Sequence, residues 1–229
     1  VTCSLTKVAQ AALFAALCAA LSGCGSSAPT RFYTLAARPA ANSPQPANPP
    51  GDASTSVAVS AVTIPGMLDR PQLVVFLDAQ RLELFEEARW GEPLAHGIAR
   101  TLAEDLEPRL GLAAVAAYPE DASARARYRI SVDIVHLDAS SQGDVTLDAI
   151  WTMRDTFVAP LAPMSAAVAG TPPLAVRTTD RTQTGHEHLV IQHGSSANGA
   201  EASVAAQSDA LAELADRLAL AFRAFQSAP

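Results

Sequence analysis

The sequence predicts an α+β fold: a mixed, largely antiparallel sheet with two long helices packed on one face. Three observations lead to it. Leu94, Ile98, Leu102, Leu106 and Leu110 recur at helical spacing, and so do Leu211, Leu214, Leu218, Phe222 and Phe225. Between these stretches Tyr128, Ile130, Val132 and Ile134 alternate with Arg129, Ser131 and Asp133, the period of a strand with one wet face. The order of elements, strands, a helix, further strands and a closing helix, reads as one mixed layer structure, and no internal repeat interrupts it.

Taken along the chain, residues 31–35 are β-prone and 56–65 form the next strand, stopped by Pro65. Five prolines without an apolar period make 36–54 a flexible loop. Residues 66–71 form a turn in which Pro71 keeps Arg70 out of the helical region. Strands over 72–77 and 81–87 then pair as a hairpin across Asp78-Ala79-Gln80, although no glycine marks the turn. The first helix covers 91–111, with Pro93 near its start, where a missing N–H is no loss, and Gly111 at its end. Pro108 is expected to distort or shorten the last turn.

Residues 112–119 give a short strand, and 125–139 pairs with 143–155 across Ser140-Ser141-Gln142-Gly143. From 157 to 199 the pattern is weak, with 173–182 and 187–193 as separate strand candidates. The closing helix is expected over 208–226, capped by Ser208 or Asp209.

Ahead of the fold lies a different kind of segment. Lys7 is the only charge before residue 31, and an apolar run of 16 residues, 8–23, follows it. A short basic region followed by a short apolar one is the pattern of an export signal. The run falls short of the roughly 20 residues that cross a bilayer comfortably. It ends in Leu21-Ser22-Gly23-Cys24, small residues directly before a cysteine. The other cysteines, Cys3 and Cys18, lie upstream, so nothing after Cys24 can form a disulfide, a thiolate metal cluster or a thiol nucleophile. The organisation expected is therefore a signal peptide over 1–23, a tether over 24–30 and a single α+β domain over 31–229.

Composition narrows the function. Sixteen basic residues against 23 acidic ones give a net charge of −7, with no concentrated basic stripe, which argues against nucleic-acid binding. No G-x-S-x-G or H-E-x-x-H occurs, and no glycine-rich loop is placed to hold a phosphate. His96 and His136 read as ordinary side chains. His186 and His188 share one side of a strand, with His193 five residues beyond, but no fourth partner stands at a metal-ligand spacing. Glu86 and Glu87 are strand neighbours that point opposite ways, so they do not form an acid and base pair. No catalytic residue, metal or cofactor is expected.

The unusual pieces are "LDRPQLV", residues 68–74, and "RWGEPL", residues 89–94, in a chain with few aromatics. With "LSGCGSS", "RFYTL", "IPGMLDRPQLVVF", "YRISVDI", "TLDAIW" and "ALAELADRLALAF" they span nearly the whole chain. In these segments the sequence resembles the ABC-type transport auxiliary lipoprotein family, and particularly its PqiC (YmbA-like) branch. "LSGC" matches the lipobox of bacterial lipoproteins at every position, which implies cleavage before Cys24 and acylation of it. Gly25 and Ser26 follow without the Asp that signals inner-membrane retention in such proteins, which implies an outer-membrane anchor on the periplasmic face.

The resemblance further implies a non-catalytic docking or scaffold subunit of an MCE-type intermembrane lipid transport system that supports envelope integrity. A lipid-carrying module, or an auxiliary of an ABC-ATPase-driven MCE transporter, is the alternative. The implied partners are a PqiB-like MCE-domain protein, its inner-membrane component and membrane lipid through Cys24, with a homo-oligomer left open. The family motif maps onto Leu68, Asp69, Arg70, Pro71, Gln72 and Leu73, and onto Arg89, Trp90, Glu92, Pro93 and Leu94, as fold-defining or partner-facing positions. Trp90 next to Pro93 is expected to staple the helix to the sheet, and Arg89 to be an exposed contact.

Several acyl chains on one residue would anchor firmly, at about 0.8 kcal/mol per buried CH₂. Mass spectrometry of the protein extracted from membranes is expected to find Cys24 lipid-modified and first in the mature chain, and Cys24→Ser to leave the precursor uncleaved. An unmodified soluble protein starting elsewhere would contradict this.

Overall fold

The computed structural model describes residues 29–39, 56–78, 80–112, 114–158, 178–192 and 199–227. The expected signal peptide, Cys24 and its lipobox, most of the proline-rich loop, and His193 lie outside the described residues. The chain divides into two units, Val1–Thr30 and Arg31–Pro229, and the fold below is that of the second.

It is an α+β fold, with its strands in two sheets rather than the one expected. The three-stranded sheet has the order β1-β4-β3, from β1 (Arg31–Tyr33), β3 (Gln72–Asp78) and β4 (Arg81–Trp90). The five-stranded sheet has the order β5-β2-β6-β7-β8. It is built from β2 (Val57–Thr63), β5 (Ala116–Ala117), β6 (Tyr128–Ala139), β7 (Asp144–Val158) and β8 (Thr178–Gln192). The helices are α1 (Leu94–Leu110), a short α2 (Asp121–Arg125) that the sequence reading lacks, and α3 (Ala200–Ser227). β1–β4, β2–β5 and β2–β6 are parallel, and the other pairs are antiparallel.

Local chemistry explains the turns. The β3–β4 hairpin needs no glycine because Asp78 supplies the turn with its side chain: Oδ1 accepts the N–H groups of Gln80 and Arg81, each at 2.9 Å. The β6–β7 turn does use one. Gly143 has φ 90°, and Ser140 Oγ accepts the N–H groups of Gln142 and Asp144 at 3.2 and 3.1 Å. α1 starts at Pro93, whose carbonyl accepts the Gly97 N–H at 3.0 Å, and ends at Gly111 with φ 67°. Pro108 does not shorten it; the helix continues through Leu110.

Both long helices lie over one face of the five-stranded sheet, α1 over β2 and α3 over β7 and β8. Ile130, Leu147, Ile98, Leu102, Leu106, Leu211, Leu214 and Leu218 are completely buried between them. Each such side chain contributes roughly 1.5–3 kcal/mol, so this layer outweighs any surface ion pair at ~0–1 kcal/mol. Trp151 of β7 lies across Gly185 of β8, where an added Cβ would stand 2.2 Å from its ring. Tyr128 meets Phe222 edge-on at 5.1 Å, which docks the end of α3.

α3 begins at Ala200, eight residues before the expected start, which places Ser208 inside the helix rather than at its cap. Ser208 Oγ donates to the Val204 carbonyl at 3.0 Å and accepts the Ala36 N–H at 3.3 Å. Asp209, the other expected cap, pairs with Arg38 at 2.7 Å. The described parts of the two strand candidates, 178–182 and 187–192, belong to one long strand, β8, and 173–177 and 193 lie outside the described residues.

A charged cluster fixes the segment after β1 to both helices. Asp105 of α1 is fully buried; its Oδ1 accepts the Arg38 N–H at 2.8 Å and faces Arg109 Nη1 at 3.3 Å. Arg109 also donates to Asp216 of α3 at 2.7 Å. Burial nevertheless raises the Asp105 carboxyl to about 6 from 3.8, against the opposing pull of the Arg38 N–H and Arg109. Between about pH 4 and 6 the folded chain therefore holds a proton that the unfolded chain has released. Stability from this group falls as pH rises across that window and is level above it. Chemical denaturation of the parent and of Asp105→Asn at pH 4.5, 5.5 and 7 is expected to show this component in the parent and its loss in the variant. Identical pH slopes would contradict it.

Candidate functional site

The two sequence motifs meet at the junction of β1, β4 and α1. β1 runs parallel to the end of β4, with Tyr33 opposite Trp90. The Gly91 N–H donates to the Tyr33 carbonyl at 2.8 Å, and the Trp90 N–H to the Pro71 carbonyl at 2.7 Å. Before Pro71, the Leu68 N–H donates to the Pro65 carbonyl and the Arg70 N–H to the Leu68 carbonyl, each at 2.9 Å. The "LDRP" turn is thus hydrogen-bonded to the end of the "RWGEPL" strand.

Most motif side chains hold this junction together. Leu68, Leu73, Trp90 and Leu94 are buried in the core. Trp90, at the end of β4, packs with Leu68, Val74, Leu137 and Leu94 of α1 around an interior void of about 10 Å³. Glu92 Oε1 accepts Arg100 Nη2 at 2.9 Å, and the same nitrogen reaches the Leu35 carbonyl, also at 2.9 Å. Glu92 therefore ties α1 to the segment after β1. Gln72 is half-buried opposite Arg89. Arg89 is half-buried rather than exposed, with Nε shielded and without a hydrogen-bond partner.

The remaining motif residues face solvent. Asp69, Arg70, Pro71, Gly91 and Pro93 are exposed and, with the edges of Trp90, Glu92 and Leu94, line an open groove of about 350 Å³. Two prolines and an indole edge form its floor and walls, with Arg70 and Asp69 at the rim. The groove offers shape, an apolar surface, one basic residue, Arg70, and two acidic ones, Asp69 and Glu92. Its lining includes no Ser, Thr, Cys or His to serve as nucleophile or base.

The histidines sit elsewhere. His136, Asp148 and His188 stand side by side across β6, β7 and β8 on the open face of the five-stranded sheet. Both rings face the Asp148 carboxylate, His136 Nδ1 at 3.1 Å. The hydrogen bond from His188, assisted by His136, holds the Asp148 carboxyl below its ordinary value. Among the described residues, no group of three or more His, Cys, Asp or Glu is placed to hold a metal ion. Glu86 and Glu87 are exposed where the β3–β4 register shifts.

The class that emerges is an α+β domain of two sheets and two long helices, built on paired "LDRP" and "RWGEPL" turns. Residues 33–219 match the model of the family described as ABC-type transport auxiliary lipoprotein component, and the chain belongs to that family. The fold is also similar to solved structures. A crystal structure of an uncharacterized protein matches with TM-score 0.59 at 14% identity, covering 85% of this chain and 99% of that one. Protein XCC0632 from Xanthomonas campestris, of family DUF330, matches with TM-score 0.52 at 17% identity, covering 83% of this chain and 93% of that one. At such identities the likeness is one of fold. No curated protein matches the chain at a significant level. Among the described residues no helix is long and apolar enough to cross a membrane.

Sequence reasoning missed Arg100, Asp105 and Arg109, which join the motif junction to the helices. Their signal is weak, because Arg100 and Arg109 each look like an ordinary charged helix position when the partner on the distant segment is unknown.

Proposed function

We propose that the protein is a PqiC-like lipoprotein, held on the periplasmic face of the outer membrane by acylated Cys24. In this reading it is a non-catalytic docking subunit of an MCE-type intermembrane lipid transport system. Its MCE-domain partner contacts the groove between Asp69-Arg70-Pro71 and the Trp90–Leu94 turn. The observation that carries this reading is the close packing between the helices and the five-stranded sheet among the described residues. Carrying a lipid between sheet and helices would need a pocket of roughly 300–1,000 Å³. The void beside Trp90 is about 10 Å³, room for about one water. The apolar faces of both helices are spent on packing, so the motif's outward residues remain for recognition. An auxiliary role beside an ABC ATPase fits the family equally, and the neighbouring genes distinguish the two systems.

Arg70 is exposed at the groove rim, which makes it a cleaner probe than half-buried Arg89. Arg70→Glu is expected to change stability by no more than ~0.5 kcal/mol, yet to reduce retention of the MCE-domain partner about tenfold in a pull-down. Trp90→Ala serves as the control: it is expected to cost about 3–5 kcal/mol and to lower retention only in proportion to the unfolded fraction. Full retention by Arg70→Glu with an unchanged melting midpoint would return the groove to a structural role.

A further inference from the structure

The open face of the five-stranded sheet carries a second concavity, far in character from the groove. It holds about 330 Å³ and is lined by Ser60, Arg129, Ser131, Thr152, Arg154 and Thr156. Ser60 lies where the β2–β6 register shifts, between the pairs Val59–Ile130 and Val62–Val132. Arg129 and Arg154 are direct cross-strand partners in β6 and β7. Like charges in that relation destabilise a sheet unless something stands between them.

Nothing in the described protein does. Arg154 is exposed and makes no hydrogen bond or ion pair among the described residues. Arg129 donates Nη2 to the Ala124 carbonyl of α2, which fixes its guanidinium, and its Nε is shielded without a partner. The next carboxylate along that face of β6, Asp133, accepts the Thr63 hydroxyl instead. The hydroxyls of Ser60 and Ser131 have no partner among the described residues, and Thr152 Oγ1 meets only Thr184 Oγ1, at 3.2 Å. The Thr156 hydroxyl is taken by the Arg127 carbonyl at 2.8 Å.

We propose that this patch binds a phosphate group, with the oxyanion held between the Arg129 and Arg154 guanidiniums and hydrogen-bonded by Ser60, Ser131 and Thr152. Two guanidiniums, two unpartnered hydroxyls and the Thr152 hydroxyl beside Thr184 supply donors from several directions, which suits a tetrahedral oxyanion better than a planar carboxylate. Arginine is the residue that recognises such oxygens in pairs. A bound anion also removes the repulsion of the cross-strand arginines. In a chain of net charge −7 this local excess of positive charge stands out. The phosphate can be inorganic or the diester of a lipid headgroup; the chemistry is shared. The proposal does not depend on the docking reading, because patch and groove share no residue.

The test follows the melting of the full chain in detergent while inorganic phosphate replaces chloride at constant ionic strength. The midpoint is expected to rise and saturate, as binding to the folded state requires. Arg154→Gln is expected to weaken the apparent affinity at least about tenfold. In phosphate-free chloride the variant should melt at or above the parent, because it loses a like-charge neighbour. That second readout separates site loss from misfolding. Dihexanoyl-phosphatidylglycerol below its micelle concentration supplies the diester. Stronger saturation by the diester assigns a lipid headgroup, and stronger saturation by phosphate assigns the free ion. No saturable response to either, or the same response in the parent and Arg154→Gln, overturns the proposal.

Discussion

The course of the segment after β1 over the helices depends on one buried cation. The Arg109 side chain, only 4% exposed, reaches from α1 to Asp105 on its own helix, to Asp216 on α3 and to the Arg38 carbonyl after β1. Removing one member of such a cluster strands a charge away from water and costs about 3–5 kcal/mol. An apolar replacement of all its members is often neutral, so the cluster's contribution is geometry. Hydrophobic packing holds the helices to the sheet, and these directional contacts determine where residues 34–38 cross them. Arg100 repeats the device one end further along, joining Glu92 to Thr34 and Leu35.

This constraint shapes the proposed function. The chain that leaves the expected lipid anchor first pairs β1 with β4, then lies along both helices under a series of charged contacts. A pull on that segment is borne by α1, α3 and the three-stranded sheet together. The groove at the "LDRP" and "RWGEPL" turns is built from the same junction, since Gly91 donates to Tyr33 and Trp90 to Pro71. A groove so placed is tied by backbone hydrogen bonds to β1 and to the turn before β3. In the proposed reading, recognition falls to the open surfaces, because the described residues between helices and sheet are closely packed.

Much of this was legible in the sequence, and the exceptions have physical causes. α1 and β6 are visible because each buries one regular face of large side chains. β8 was fragmented because its positions on the core side include Arg181, Gln183, Gly185 and Glu187, which break the alternation. The start of α3 was missed because Ala202, Ala206 and Ala210 bury well yet signal weakly. Local patterns report which residues face a core but not which strands pair, so two sheets were read as one. In the candidate site, the motif residues came together as a unit, while the division between buried Trp90 and exposed Arg70 required the fold. The arginine pair was hidden by a register shift. Near the turn, Leu137 pairs with Leu147, a register that would carry Arg129 to Asp155. The irregularity between Ile134 and His136 moves the pairing by one residue and sets Arg129 against Arg154.

The central claim, that a buried charged cluster clamps the segment after β1 to the helices, is tested most directly by amide hydrogen exchange at Arg38. Its N–H donates to the side chain of buried Asp105 and to no backbone carbonyl of a strand or helix. Its exchange is expected to be slowed as strongly as that of Leu102 in the buried centre of α1. Exchange of the Arg38 amide at the rate of an exposed loop, with Leu102 fully protected, would contradict the account.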